Sequence, residues 1–108
     1  VISEEAVNEI TAMMVEAAKN GEAKWTNTKG FKVAGKTGTA QIPIQGHYDA
    51  EKTIASFIGF APADDAKFIM LVMLREPSSS PWASETAAPL WYSIAKDLFL
   101  YFGIQPEN

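Results

Sequence analysis

Cysteine is absent from the 108 residues, which excludes disulfides, thiolate nucleophiles and the common thiolate zinc sites. Histidine occurs once, and His47 alone cannot build a zinc centre, so no metal or other cofactor is expected. Long apolar runs are lacking too. The longest, Phe68 to Leu74, falls far short of the roughly 20 residues that span a bilayer. Positive charge is in deficit, with nine Lys plus Arg against thirteen Asp plus Glu and a net charge of −4. With no basic stripe to offset that balance, a nucleic-acid partner is not expected. No charged leader with an apolar core follows Val1, so any targeting or anchoring segment is expected to lie outside this chain. What is present is 47% apolar and 20% charged, the composition of one globular domain or a piece of one.

Ser3 is positioned as an N-cap ahead of Glu4 and Glu5, and Val7, Ile10, Met14 and Ala17 recur at helical spacing until Asn20 and Gly21 end the helix. Glu22 to Gly30 reads as a surface connection pinned by Trp25. Three strands are predicted next: Phe31 to Ile42, Thr53 to Phe60, and Lys67 to Leu74, the last apolar enough to be buried on both faces. Pro43 and Gly46 predict a longer loop between the first two, and Pro62, Asp64 and Asp65 a tight antiparallel link between the second and third. A Pro- and Ser-rich loop from Arg75 to Pro81 precedes a last helix, Ser84 to Phe102, with Ala88, Trp91, Ala95, Leu98 and Phe102 on its apolar stripe and Gly103 as its stop. Pro89 falls in its first turns, where a missing N–H costs little. Trp82 and Trp91 are expected to pack under the Ser-rich loop, and Met13, Met14, Met70 and Met73 to serve as packing. The expected class is α+β: a three-stranded antiparallel sheet flanked by an N-terminal and a C-terminal helix.

The stretch richest in chemistry is Val33-Ala34-Gly35-Lys36-Thr37-Gly38-Thr39-Ala40-Gln41. Gly30 to Thr37 satisfies the phosphate-loop pattern G-x-x-x-x-G-K-[ST], the mark of a nucleotide-binding module. Such a loop must follow a hydrophobic strand and open a helix, whereas Thr26-Asn27-Thr28-Lys29 precedes this one and Gly38, Thr39 and Pro43 follow it. Lys-Thr-Gly on an edge strand lining an acyl-transfer site fits better. A substrate ending in a free carboxylate needs a cation and hydroxyl donors, which Lys36, Thr37 and Thr39 offer. Gly38 removes a side chain where the backbone must approach the ligand, and the Thr39 N–H can point at a developing oxyanion as one of two donors.

This run resembles the third conserved motif of the class B penicillin-binding proteins, the monofunctional peptidoglycan transpeptidases. Ala55-Ser56-Phe57-Ile58-Gly59-Phe60-Ala61-Pro62-Ala63-Asp64 resembles that family's next strand and hairpin, and Thr86-Ala87-Ala88-Pro89-Leu90-Trp91 with Tyr101-Phe102-Gly103-Ile104-Gln105-Pro106 resembles its last helix. The resemblance implies a serine acyltransferase that attacks the D-Ala-D-Ala end of a peptidoglycan stem peptide, releases D-Ala and passes the acyl group to a neighbouring amine. It also implies binding of β-lactams and residence on the outer face of a bacterial cytoplasmic membrane, with the anchor outside this chain.

The same resemblance calls for a nucleophilic Ser with Lys one helical turn on, and a Ser-x-Asn segment, both before Lys-Thr-Gly. Only Ser3 precedes Lys36, and Ser-x-Asn occurs nowhere. Ser93-Ile94-Ala95-Lys96 has the right spacing but follows Lys-Thr-Gly and reads as a solvated helix face. The chain is therefore expected to be the C-terminal portion of a transpeptidase domain, residues 1–108, lacking the nucleophile-bearing part and inactive alone. A non-catalytic or β-lactam-sensing relative, or a class D β-lactamase, would share the Lys-Thr-Gly strand. Asp64 and Asp65, His47 and Ser78 to Ser80 read as solvated turn and loop residues. An edge and apolar faces that the missing part would cover are expected to make the fragment self-associate.

Overall fold

The computed structural model describes residues 1–21 and 29–107, so the connection around Trp25 lies outside the described residues. Helix α1, Glu4–Asn20, starts as its sequence dictates: Ser3 Oγ accepts the Ala6 N–H at 3.1 Å, and Glu4 and Glu5 occupy the first turn. At the other end Gly21 is extended rather than left-handed, and its N–H reaches the Ala17 carbonyl at 2.8 Å. The apolar stripe is only partly used. Ala18 is buried and Met14 and Val15 half-buried, while Val7, Ile10 and Met13 remain exposed because only the C-terminal half of α1 lies against the sheet.

Strands β1, Ala34–Ile44, β2, His47–Ala61, and β3, Phe68–Arg75, form one antiparallel sheet in the order β1-β2-β3. The longer loop expected after Pro43 is a two-residue turn instead. Gln45 and Gly46 sit at φ 46° and 87°, the left-handed pair that closes a tight hairpin, and Ile44 faces His47 directly. Pro43 is accommodated inside β1, opposite Tyr48, because β1 is an edge strand. The register shifts between Gln41 and Ile42, where Asp49 Oδ1 accepts the N–H groups of Glu51 and Lys52. β1 begins three residues later than predicted, leaving Phe31 outside the sheet to stack on Phe99.

The β2–β3 link is the tight antiparallel connection expected, closed by Lys67 N–H to the Ala61 carbonyl at 2.9 Å. β3 is not buried on both faces. Its Phe68, Met70, Val72 and Leu74 face the core, whereas Ile69, Leu71 and Met73 are 69%, 59% and 63% exposed. Paired residues share a face of a sheet, so this open face also carries Ile58 of β2. Among the described residues neither helix covers it.

The last helix is interrupted at its start. A single 3₁₀ turn, Ala83–Glu85, is separated from α2, Ala87–Tyr101, by Thr86 at φ −128°, ψ −72°. Pro89 is the third residue of α2, where no N–H is required for the ladder. The buried stripe is Ala87, Ala88, Trp91, Tyr92, Ala95 and Phe99, with Leu98 half-buried and Phe102 exposed, so Tyr92 and Phe99 take the place expected for the last two. Trp91 and Tyr92 meet Phe57 of β2 at 5.2 and 5.7 Å between ring centres, and Trp91 Nε1 donates to the Met70 carbonyl at 2.8 Å. Each such side chain contributes roughly 1.5–3 kcal/mol by leaving water. Gly35 pairs with Gly59, and a Cβ at Gly35 would stand 2.3 Å from the Phe57 ring, so the aromatic core sits directly against the strand that continues into Lys36. Trp91 is thus central, but Trp82 is 57% exposed and packs under nothing.

Candidate functional site

Lys36, Thr37, Gly38 and Thr39 lie in the first half of β1, paired with Ile58, Phe57, Ser56 and Ala55 of β2. Strand alternation divides them. Thr37 and Thr39 share the helix-bearing face with Phe57 and Ala55, while Lys36 and Gly38 lie on the open face with Ile58 and Ser56. A cation and two hydroxyls thus stand on opposite faces and can converge on one ligand only around the outer edge of β1, which carries no strand among the described residues. That placement also removes the phosphate-loop reading. Lys36 and Thr37 sit inside a strand, and no helix follows them.

Lys36 is exposed, and its Nζ donates to the Thr37 carbonyl at 2.6 Å with no ion pair among the described residues. The end of α1 lies beside this stretch of β1. Ala17, Ala18 and Gly21 line, with Gly35, Lys36, Thr37 and Phe57, a cavity of about 240 Å³. Thr39 is exposed, and its Oγ1 accepts the Ala83 N–H at 3.1 Å. Ser56 Oγ donates to the Gly38 carbonyl at 3.3 Å.

Beyond Thr39, a groove is lined by Ala40, Gln41, Ala50 and Thr53, with Tyr48 and Trp82 as its exposed aromatic flanks. His47 stands exposed just after the hairpin turn. Ser93 and Lys96 are both exposed on α2, and Asp64 and Asp65 are exposed partners of Lys32 and Lys67 at 3.1 and 2.8 Å. The Asp64 hydrogen bond and charge hold Lys32 above its usual pKa.

Sequence reasoning missed Ser56, Thr53 and Ala83. A signal existed for Thr53: it falls in the same period-2 register as Ala55, Phe57 and Ala61, a polar group on an otherwise apolar buried face. Ala83 acts through its backbone, which no side-chain pattern reveals.

The exposed Lys-Thr-Gly strand on an α+β scaffold with terminal helices is the arrangement of a penicillin-recognising acyltransferase fold. Residues 1–99 match the penicillin binding protein transpeptidase domain, and the chain belongs to that family. It is 36% identical to stage V sporulation protein D of Bacillus subtilis and 34% identical to peptidoglycan D,D-transpeptidase FtsI of Buchnera aphidicola, over 109 and 110 residues. It spans 17% and 19% of those relatives' lengths while they cover 100% and 99% of it. Among solved structures, penicillin binding protein 3 of Mycobacterium tuberculosis complexed with ampicillin superposes with a TM-score of 0.83 at 26% identity, covering 98% of this chain and 26% of that one. The transpeptidase domain of FtsI4 from Legionella pneumophila gives 0.77 at 33% identity, over 91% and 37%. The chain thus corresponds to a part of a transpeptidase domain related to the peptidoglycan D,D-transpeptidases.

Proposed function

We propose that this chain is the C-terminal portion of the transpeptidase domain of a class B penicillin-binding protein, working on the outer face of a bacterial cytoplasmic membrane. Its task is to present the acyl-donor-binding strand. The observation that carries this reading is the Lys36–Thr39 segment, with Lys36 and Thr39 exposed, on a strand edge unpaired among the described residues, in a chain that belongs to the transpeptidase family.

In the proposed reaction a serine from the upstream part attacks the penultimate D-Ala carbonyl of a stem peptide. The peptide bond to the terminal D-Ala breaks, that residue leaves as the free amine, and an amine of a neighbouring strand then displaces the serine. Lys36 supplies positive charge to the donor end, Thr37 and Thr39 supply hydroxyls, and the Thr39 N–H serves the oxyanion. Gly38 keeps the strand clear for close approach. A β-lactam enters by the same contacts and stays on the serine. This chain holds and polarises but brings no nucleophile of its own.

The open face of Ile58, Ile69, Leu71 and Met73 is where the upstream part packs, on the same side as Lys36. Intact-mass measurement after incubation with a penicillin tests the reading. The 108-residue chain should keep its mass, and the longer transpeptidase domain containing it should gain one penicillin. An adduct on the short chain that disappears in Ser93→Ala would overturn it.

A further inference from the structure

Thr53 is 2% exposed and holds both ends of one loop. Its carbonyl accepts the Glu76 N–H at 2.8 Å, and its Oγ1 donates to the Pro81 carbonyl at 2.6 Å. One residue on, Trp82 is extended at φ −88°, ψ 133° and delivers the Ala83 N–H to Thr39 Oγ1 at 3.1 Å. Ala83 is fully buried, so this turn cannot drift without disturbing the core. Among the described residues the loop's other bonds are internal: Trp82 N–H to Ser80 Oγ, Ser80 to Glu85, Glu85 N–H and Thr86 Oγ1 to the Trp82 carbonyl, and Thr86 N–H to the Ala83 carbonyl. They stiffen the loop but do not seat it on the sheet. Thr53 and Thr39 do.

We infer that Thr53 is a positioning residue for Thr39, and that Ala83 is the group through which it acts. A threonine hydroxyl has one hydrogen to donate and two lone pairs to accept. With the Ala83 N–H occupying an acceptor site, the Thr39 hydrogen is turned away from the loop and remains available to an incoming oxygen. Accepting one hydrogen bond also strengthens a hydroxyl as a donor. The ligand that this arrangement favours is an acceptor-only group, the carboxylate of the acyl donor, over a ligand that would itself donate to Thr39. The inference rests on the proposed role of Thr39 as a donor contact.

The test uses the longer transpeptidase domain with Thr53→Val, Thr53→Ser and Thr39→Val, reading penicillin acylation against concentration together with hydrogen exchange of the Ala83 amide. Thr53→Val, nearly isosteric but without the hydroxyl, should lower acylation efficiency about tenfold, chiefly in the binding step, and speed Ala83 exchange by a similar factor. Thr53→Ser should restore both to within about twofold, which separates the hydroxyl from the methyl group's packing. If Thr39→Val is impaired while Thr53→Val acylates normally, the positioning role is wrong. A Ser variant as impaired as Val also overturns it, even should the Val variant fail to fold. If Thr39→Val itself acylates normally, the failure lies in the reading of Thr39.

Discussion

A Cβ on Gly38 would stand 2.7 Å from Ser56 Oγ, the same hydroxyl that donates to the Gly38 carbonyl. The missing side chain therefore clears space for a neighbour on β2 and, in the role proposed for β1, for a ligand at the edge as well. These two needs separate experimentally. Gly38→Ala should lower stability by about 1 kcal/mol, since Ser56 must rotate away and lose its bond. In a Ser56→Ala background most of that cost should vanish, whereas acylation in the longer domain should stay low because the ligand still meets the methyl. Urea melts of the four-member cycle decide the first point, and strictly additive costs would show that Ser56 does not set it.

Lys36 should behave oppositely, important for the ligand and dispensable for the fold. Its ammonium is exposed and, among the described residues, bonds only the carbonyl of the next residue. Lys36→Gln should change the unfolding free energy by no more than about 0.5 kcal/mol. Acylation of the longer domain should fall by up to about a hundredfold, the scale for losing one charge-assisted contact to the donor's carboxylate. A drop smaller than threefold would remove Lys36 from the donor site.

The elements were legible where one local signal dominated. Ser3 with its two glutamates announced the start of α1, and Pro62 with the Asp pair announced the β2–β3 turn. Legibility failed where tertiary placement decided. Pro43 reads as a loop residue until β1 is known to be an edge strand. Gln45-Gly46 closes a two-residue turn although Gln rarely takes positive φ. The apolar run of β3 predicts two buried faces, because a sequence does not say whether what covers the second face belongs to the same chain. The motif singles out Lys36, Thr37, Gly38 and Thr39 as candidates. Their division between two faces follows from period-2 alternation, which the motif obscured. Thr53 was signalled only as a polar residue in the buried period-2 register of β2, and Ala83 stayed hidden because its contact is made by its N–H.

That uncovered face makes the third prediction, and its sign depends on context. Ile58, Ile69, Leu71 and Met73 are exposed apolar side chains gathered on one face of the sheet, the kind of patch that drives association. The 108-residue chain should self-associate with rising concentration in sedimentation experiments, and Leu71→Lys should weaken that at least tenfold while changing the unfolding free energy of the monomer by about 0.5 kcal/mol at most. In the longer domain the same substitution should destabilise by several kcal/mol, roughly the cost of burying an unpaired charge. Equal tolerance in both settings would mean that the upstream part packs elsewhere.

Tyr92 supplies a pH-dependent prediction from the core. Its ring is wedged between Trp91 and Phe57 at 2% exposure, and its hydroxyl has no partner among the described residues. Burial alone pushes its pKa from 10.0 up to about 12. The folded state therefore favours the neutral phenol more than the unfolded chain does. That contribution is fully present below pH 10, the unfolded value, and drains away as the pH rises towards 12, by roughly 3 kcal/mol in all. Tyr92→Phe should abolish this alkaline loss. At pH 7 it should leave stability unchanged or raise it by about 1 kcal/mol, since a buried polar atom is removed without breaking a hydrogen bond. Subtracting the variant's stability from the wild type's at pH 7, 9 and above 10 isolates Tyr92 from the exposed Tyr48 and Tyr101. A neutral-pH loss well beyond 1 kcal/mol in the Phe variant would show that the hydroxyl is bonded after all, and would assign it a structural partner.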